Sequence, residues 1–238
     1  RDLVGTLDLI QRRSRAGQPQ LDARIASYRL AARMQMAASD ALDLSQETKA
    51  THERYGLDNP TTESYGRRCL IARRLVERGV RFVQLFINAQ IWDTHNDIEA
   101  SLRSACDRTD KPIAGLLTDL HERGLLETTL VMWGGEFGRL PIAQLPPDKD
   151  ERKAGRDHNK NAMCTWLAGG GVKGGVANGT TDDIGLRSVE NRSSVADFHA
   201  TMLHLLGLDY HRLYYRRNGL DEKLTGVEEP HVIEEILA

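Results

Sequence analysis

Arg81-Phe-Val-Gln-Leu-Phe-Ile87 is a short apolar run that follows the turn residue Gly79, and it reads as the start of a buried strand. Thr128-Thr-Leu-Val-Met-Trp133 reads as a second buried strand, stopped by Gly134-Gly135, and Ala162-Met-Cys-Thr-Trp-Leu-Ala168 as a third. A helix is predicted from Asp110 to Arg123, ending near Gly124. The polar, Pro-containing stretch 140–161 reads as a loop, and Gly169 to Gly175 as irregular backbone. Val195 to Leu206 reads as a compact amphipathic helix, with Asp197 near its start, where a carboxylate suits the helix dipole. Strands alternating with helices predict an α/β domain with a mainly parallel sheet. In such sheets functional groups gather at the carboxyl ends of strands.

Upstream the texture is helical. Leu21, Ile25, Tyr28, Leu30, Ala31, Met34 and Met36 recur at helical spacing, and Glu63 to Arg78 repeats the pattern with Cys69, Leu70, Ala72, Leu75 and Val76 on its apolar side. Leu57-Asp58-Asn59-Pro60 is turn chemistry between them. Two or three amphipathic helices are expected. Arg67, Arg68, Arg73 and Arg74 read as a solvated helical face, because acidic residues are interspersed. The whole chain reads as one domain, with residues 1–78 a helical lead-in and residues 79–238 the α/β core.

Composition narrows the function classes. The 238 residues carry 32 basic and 34 acidic side chains, so no global field favours nucleic acid. Hydrophobic residues at 40% exclude wholesale disorder, and no apolar run approaches the roughly 20 residues that span a bilayer. Cys69, Cys106 and Cys164 are too few and too scattered for a disulfide framework and read as small buried apolar residues. The chain opens Arg1-Asp2-Leu3 with neither Met nor a signal-like stretch, which reads as a trimmed chain whose localisation its start does not reveal. Gly169-x-Gly171-x-x-Gly174 matches a dinucleotide fingerprint in letters only, since no helix pattern follows to receive a pyrophosphate.

Three polar clusters lie beside the strands: Trp92-Asp-Thr-His-Asn-Asp97, Gly134-Gly-Glu-Phe-Gly-Arg139 and Gly155-Arg-Asp-His-Asn159. Asp93, His95, Glu136, Asp157 and His158 supply carboxylates and imidazoles, the ligand set of a divalent metal such as zinc, manganese or magnesium. Arg139 and Arg156 are suited to clamp a tetrahedral oxyanion bidentately. Each cluster also has a plainer reading: an Asx turn at Asp93, a helix-capping carboxylate at Glu136, and solvated loop residues at Asp157 and His158.

At these residues the chain resembles the bacterial sulfatase-like family known as domain of unknown function 1501, related to the alkaline phosphatase superfamily. The strings that carry the resemblance are Arg81-Phe-Val-Gln-Leu-Phe86, Trp92-Asp-Thr-His95, Trp133-Gly-Gly-Glu-Phe-Gly-Arg139, Gly155-Arg-Asp-His-Asn159, Leu167-Ala-Gly-Gly-Gly-Val-Lys-Gly-Gly175 and residues 197–209. They run in order from about Arg67 to the C-terminus. The resemblance implies a three-layer α/β/α sandwich, of which this chain would be the carboxyl-terminal part without the amino-terminal strands. It implies one or two metals (zinc, manganese or calcium), with Asp93, His95 and His158 as primary ligands. Glu136 and Asp157 would be secondary ligands or orienters, Arg139 an oxyanion contact, and a Ser, Thr or modified Cys nucleophile would lie upstream. Better-known relatives space the Asp–His pair more widely, which makes Asp97 an alternative ligand. Phe137 stands where a second metal site would place a His.

The expected activity is metal-dependent hydrolysis of phosphate or sulfate esters, with a small molecule or glycan as substrate and an exported or periplasmic setting. The alternative is a degenerate member that binds sulfated or phosphorylated glycans or a protein partner. A third expectation is phosphate transfer within a metabolite.

Overall fold

The computed structural model describes residues 19–227 and 229–238. The expectations for residues 1–18, and for the side chains of Leu30, Met34 and Met36, lie outside what is described. Helix α1 runs Pro19–Leu42, α2 Lys49–Arg54, α3 Glu63–Glu77, α4 Ile98–Glu122 and α5 Val195–Leu205. The strands are β1 Val131–Gly134, β2 Gly138–Gln144, β3 Gly155–Asn159, β4 Thr165–Ala168, β5 Thr180–Thr181, β6 Ser188–Glu190, β7 Tyr214–Arg217 and β8 Leu220–Lys223.

Mixed helices and strands make this an α/β fold, as the alternation predicts. The pairing differs from expectation. Among the described residues the strands form four two-stranded antiparallel sheets, β1–β4, β2–β3, β5–β6 and β7–β8. The physical reason lies in two places. Residues 81–87, expected as the first strand, carry no ladder partner, and the polar stretch expected as a loop closes instead into the β2–β3 pair.

The main core is helical. Ala105, Thr109, Pro112, Leu116 and Leu120 recur at helical period and bury one face of α4. Cys69 and Leu70 of α3, Tyr55 and Leu44 meet it, with Leu85 and Val131 packed at its edge. Burial pushes the Cys69 thiol up to about 12, so it stays protonated and acts as a small apolar residue, as expected. Cys164 is exposed, contrary to expectation. Helix α4 starts twelve positions before the predicted Asp110, with Pro112 inside it. Thr48 caps α2 through its side chain, and Ser194 with Asp197 forms a capping box on α5.

Arg73 and Arg74 overturn the reading of a solvated arginine face. Both are buried, Arg73 at 2% exposure. Arg73 lies 2.8 Å from Glu47, 2.6 Å from Glu77 and 2.9 Å from Asp119, while Arg74 pairs with Glu47 and donates to the carbonyl of Ala41. Asp119 also accepts from the Tyr55 hydroxyl at 2.9 Å and from Arg123 at 2.7 Å. These charges tie α1 and the segment after it to α3 and α4. Buried charge survives only when paired in this way.

Candidate metal centre

Aromatic packing begins the site. The three tryptophans of the chain stack in series, Trp92 edge-on to Trp133 at 5.6 Å and Trp133 parallel to Trp166 at 6.5 Å. Trp133 and Trp166 are cross-strand neighbours in β1–β4. The stack anchors the residue before Asp93 to that sheet.

The backbone then carries residues 94–98 past β3. Arg156 donates its amide to the Thr94 carbonyl at 3.0 Å, Asp97 to Lys153 at 2.8 Å and Ile98 to Ala154 at 3.1 Å. The last two bonds satisfy amides at the start of α4 that have no partner within the helix. Gly155 lies against this crossing, where a Cβ atom would overlap the carbonyl group of His95, so glycine alone allows the approach. Across the β2–β3 pair, Arg139 stands directly opposite His158.

Three donor atoms converge there. Asp93 Oδ1 lies 2.9 Å from His95 Nε2 and 3.5 Å from His158 Nε2, and the two imidazole nitrogens are 3.3 Å apart. A tetrahedral ion with metal–ligand bonds of about 2.0–2.1 Å has ligand–ligand edges of about 3.3 Å. The three separations bracket that value, so the donor set fits a divalent cation in number, type and spacing. All three side chains are about one-third exposed, open enough for an ion and a further ligand to reach them.

The outer nitrogen of each ring has a polar neighbour. Nδ1 of His95 lies 2.8 Å from Gln144 Oε1; when it donates there, Nε2 is left as the lone-pair atom facing the cluster. Glu136 Oε1 comes within 2.8 Å of His158 Nδ1 but off the hydrogen-bond direction, so this ring nitrogen, itself shielded from solvent, has a charge contact and no hydrogen bond. Arg139 Nη1 donates to Asp93 Oδ1 at 3.0 Å, and its other arm lies 3.3 Å from the Trp92 carbonyl and 3.7 Å from Glu136. Partial desolvation pushes the Asp93 carboxyl up, but the hydrogen bond from Arg139 and its positive charge outweigh it. The group is held below the ordinary carboxylate range.

Of the seven residues singled out from sequence, Asp93, His95 and His158 form the cluster, and Arg139 and Glu136 touch it. Asp157 stands at its margin, exposed, with Oδ1 on the His158 amide at 2.8 Å and 3.8 Å from His95 Nδ1. Arg156 turns away, donating its guanidinium to the Leu140 carbonyl at 2.9 Å. Asp97, the alternative ligand, takes the N-cap position of α4 with φ of 45° and is outside the converging set. Phe137 packs edge-on against the His158 ring at 6.0 Å. Asn159 is buried and binds the carbonyls of Gly185 and Leu186, which pins the end of β3. Gln144 and the tryptophan stack were not singled out from the sequence. Gln144 carries no local signal, because only the β2–β3 register brings it to His95.

No helix among the described residues is long and apolar enough to cross a membrane. The family model described as protein of unknown function (DUF1501) matches residues 2–237. No curated protein and no solved structure matches the chain.

Proposed function

We propose that this chain, which belongs to the DUF1501 family, carries the metal-binding part of a hydrolase that cleaves phosphate or sulfate esters. The observation that supports this most is the triangle of Asp93 Oδ1, His95 Nε2 and His158 Nε2, with edges of 2.9, 3.3 and 3.5 Å. A divalent cation held there would polarise an ester oxygen and lower the pKa of a bound water or alcohol. Asp93 supplies the negative charge of the ligand set. Gln144 would orient the His95 ring from behind, and Glu136 sets its carboxylate beside the outer nitrogen of His158. Arg139, whose Nη1 donates to the Asp93 carboxylate, would meet an anionic substrate oxygen in this reading.

The finer fold belongs to the same proposal. Residues 81–87, α4 and β1 follow one another as extended run, helix and strand, the order of a parallel crossover unit, and this supports a sandwich of the alkaline phosphatase type. The rival reading is a degenerate member that binds sulfated or phosphorylated glycans without turnover. Phe137 favours it, because a phenyl ring against His158 offers nothing to a second cation.

The two readings separate in an assay of aryl phosphate and aryl sulfate hydrolysis, with and without chelator, on the protein and on an Asp93→Ala variant. Chelator-sensitive turnover that the substitution abolishes supports the hydrolase. Saturable binding of sulfated glycan without turnover supports the rival.

A further inference from the structure

A cleft of about 830 Å³ lies between the start of α3 and the first three turns of α4, with Ile87 and Asn88 at its edge. That size falls within the range of small-molecule pockets, about 300–1,000 Å³. Helix α4 contributes Ala100, Arg103, Ser104 and Asp107, which share one face at helical spacing. The loop that carries Asp93 and His95 leaves from Asn88 and returns at Asp97, and both of these residues line the cleft. Two residues of chain span at most about 7 Å, so the cleft wall at Asp97 lies no farther than that from the His95 backbone. One small molecule can bridge such a distance.

The lining specifies the kind of ligand. Among the described residues the side chains of Ser64, Ser104 and Arg108 and the Tyr65 hydroxyl make no hydrogen bond. Burial pushes the Tyr65 phenol up to about 12, so it keeps its proton and can both donate and accept. Its ring is seated on the helical core, which holds it in place beside the free groups. Arg103 and Arg108 are set against three carboxylates, Asp97, Glu99 and Asp107, and Arg103 lies 3.6 Å from Glu99. With no positive excess the cleft offers no field to a polyanion, and with few apolar groups it offers little to a hydrocarbon chain. Hydroxyl, amide, carboxylate and guanidinium groups around one aromatic ring suit an uncharged polyol, whose hydroxyls each donate and accept. We propose that this cleft binds a neutral sugar unit, the non-reacting part of an ester whose anionic group lies at the metal triangle. Sugar binding stands on the cleft alone, whereas its role as a substrate subsite rests on the metal-dependent hydrolase proposed for this chain.

The test uses two sets of probes. Maltose, lactose and chitobiose are uncharged and report on the cleft of the metal-free chain by saturation-transfer NMR. At least one should bind. Ser104 is exposed, so Ser104→Trp fills the cleft without entering the core; it should abolish binding with circular dichroism unchanged, while Ser104→Ala keeps it. On the metal-loaded chain, glucose 6-sulfate or galactose 6-sulfate should bind at least about tenfold more tightly than methyl sulfate. Ser104→Trp should erase that advantage and leave methyl sulfate binding and metal content as they were. The sugar site is overturned if none of the disaccharides binds, or if folded Ser104→Trp binds them as the wild type does. Sugar sulfates no tighter than methyl sulfate, with metal and methyl sulfate both bound, overturn the subsite role. A chain that binds a disaccharide and no metal removes the hydrolase and supports the sugar site by itself.

Discussion

Nε2 of His95 lies 3.3 Å from Nε2 of His158, although the two residues are 63 positions apart in the chain. Two imidazole lone pairs at that distance repel unless something positive lies between them. Asp93 Oδ1, within 3.5 Å of both, adds to the need. A proton satisfies one pair of these atoms at a time, whereas a divalent cation satisfies all three.

Gln144 holds His95 from behind, so its loss should act on metal affinity and not on folding. For Gln144→Ala we expect metal affinity to fall about 10–100-fold, the usual cost of removing an outer-shell partner. Titration against a competing chelator measures it, and unchanged thermal unfolding of the metal-free protein shows that the fold is intact.

Gly155 is where β3 presses on the His95 backbone. In Gly155→Ala the new methyl must displace residues 95–96, which separates His95 from His158. We expect cation binding to be lost while the helical signal of α3 and α4 persists. Gly174→Ala is the control: a Cβ there meets nothing within 4 Å, so stability should change by less than about 0.5 kcal/mol.

The buried charges around Asp119 set the acid limit of the fold. Burial pushes the carboxyls of Asp119 and Glu47 up, but the guanidinium groups they face, together with the Tyr55 hydroxyl at Asp119, outweigh it and hold both below the ordinary range. A carboxylate depressed in the folded state stabilises it fully above its unfolded pKa of about 4, and that stability is lost as pH falls through the folded value. Thermal unfolding should therefore be flat between about pH 7 and pH 5 and decline below about pH 4. Asp119→Asn should cost about 1–3 kcal/mol in denaturant titrations at pH 7, since it removes one of the three carboxylates facing Arg73 and weakens the acceptor of Tyr55 and Arg123, and should flatten the acid decline.

Much of this was legible in the sequence, for reasons that differ by element. Helices α3 and α5 follow from apolar spacing, and β1 and β4 from short apolar runs bounded by glycine. The start of α4 was hidden by Pro112, whose missing amide is cheapest in a first turn and so draws the predicted boundary towards it. The β2–β3 pair was hidden by Pro141, which sits where the ladder is irregular between Arg139 and Ala143. Proline in a strand is tolerated at such places, but the letters alone argue against a strand. The β7–β8 pair was missed although Asn218-Gly219 carries its turn signal, both residues with positive φ. Arg73 and Arg74 could not be told from surface arginines, because their partner Glu47 comes from a different segment. The ligand types at Asp93, His95 and His158 were readable, whereas their convergence depends on backbone bonds between residues 94–98 and 153–156.

The most direct measurement is elemental analysis of the dialysed protein beside a combined Asp93→Ala, His158→Ala variant. One divalent ion per chain in the wild type and none in the folded variant is the predicted result. Equal metal content in the two, or no metal retained by the wild type when the ion is supplied, would contradict the account.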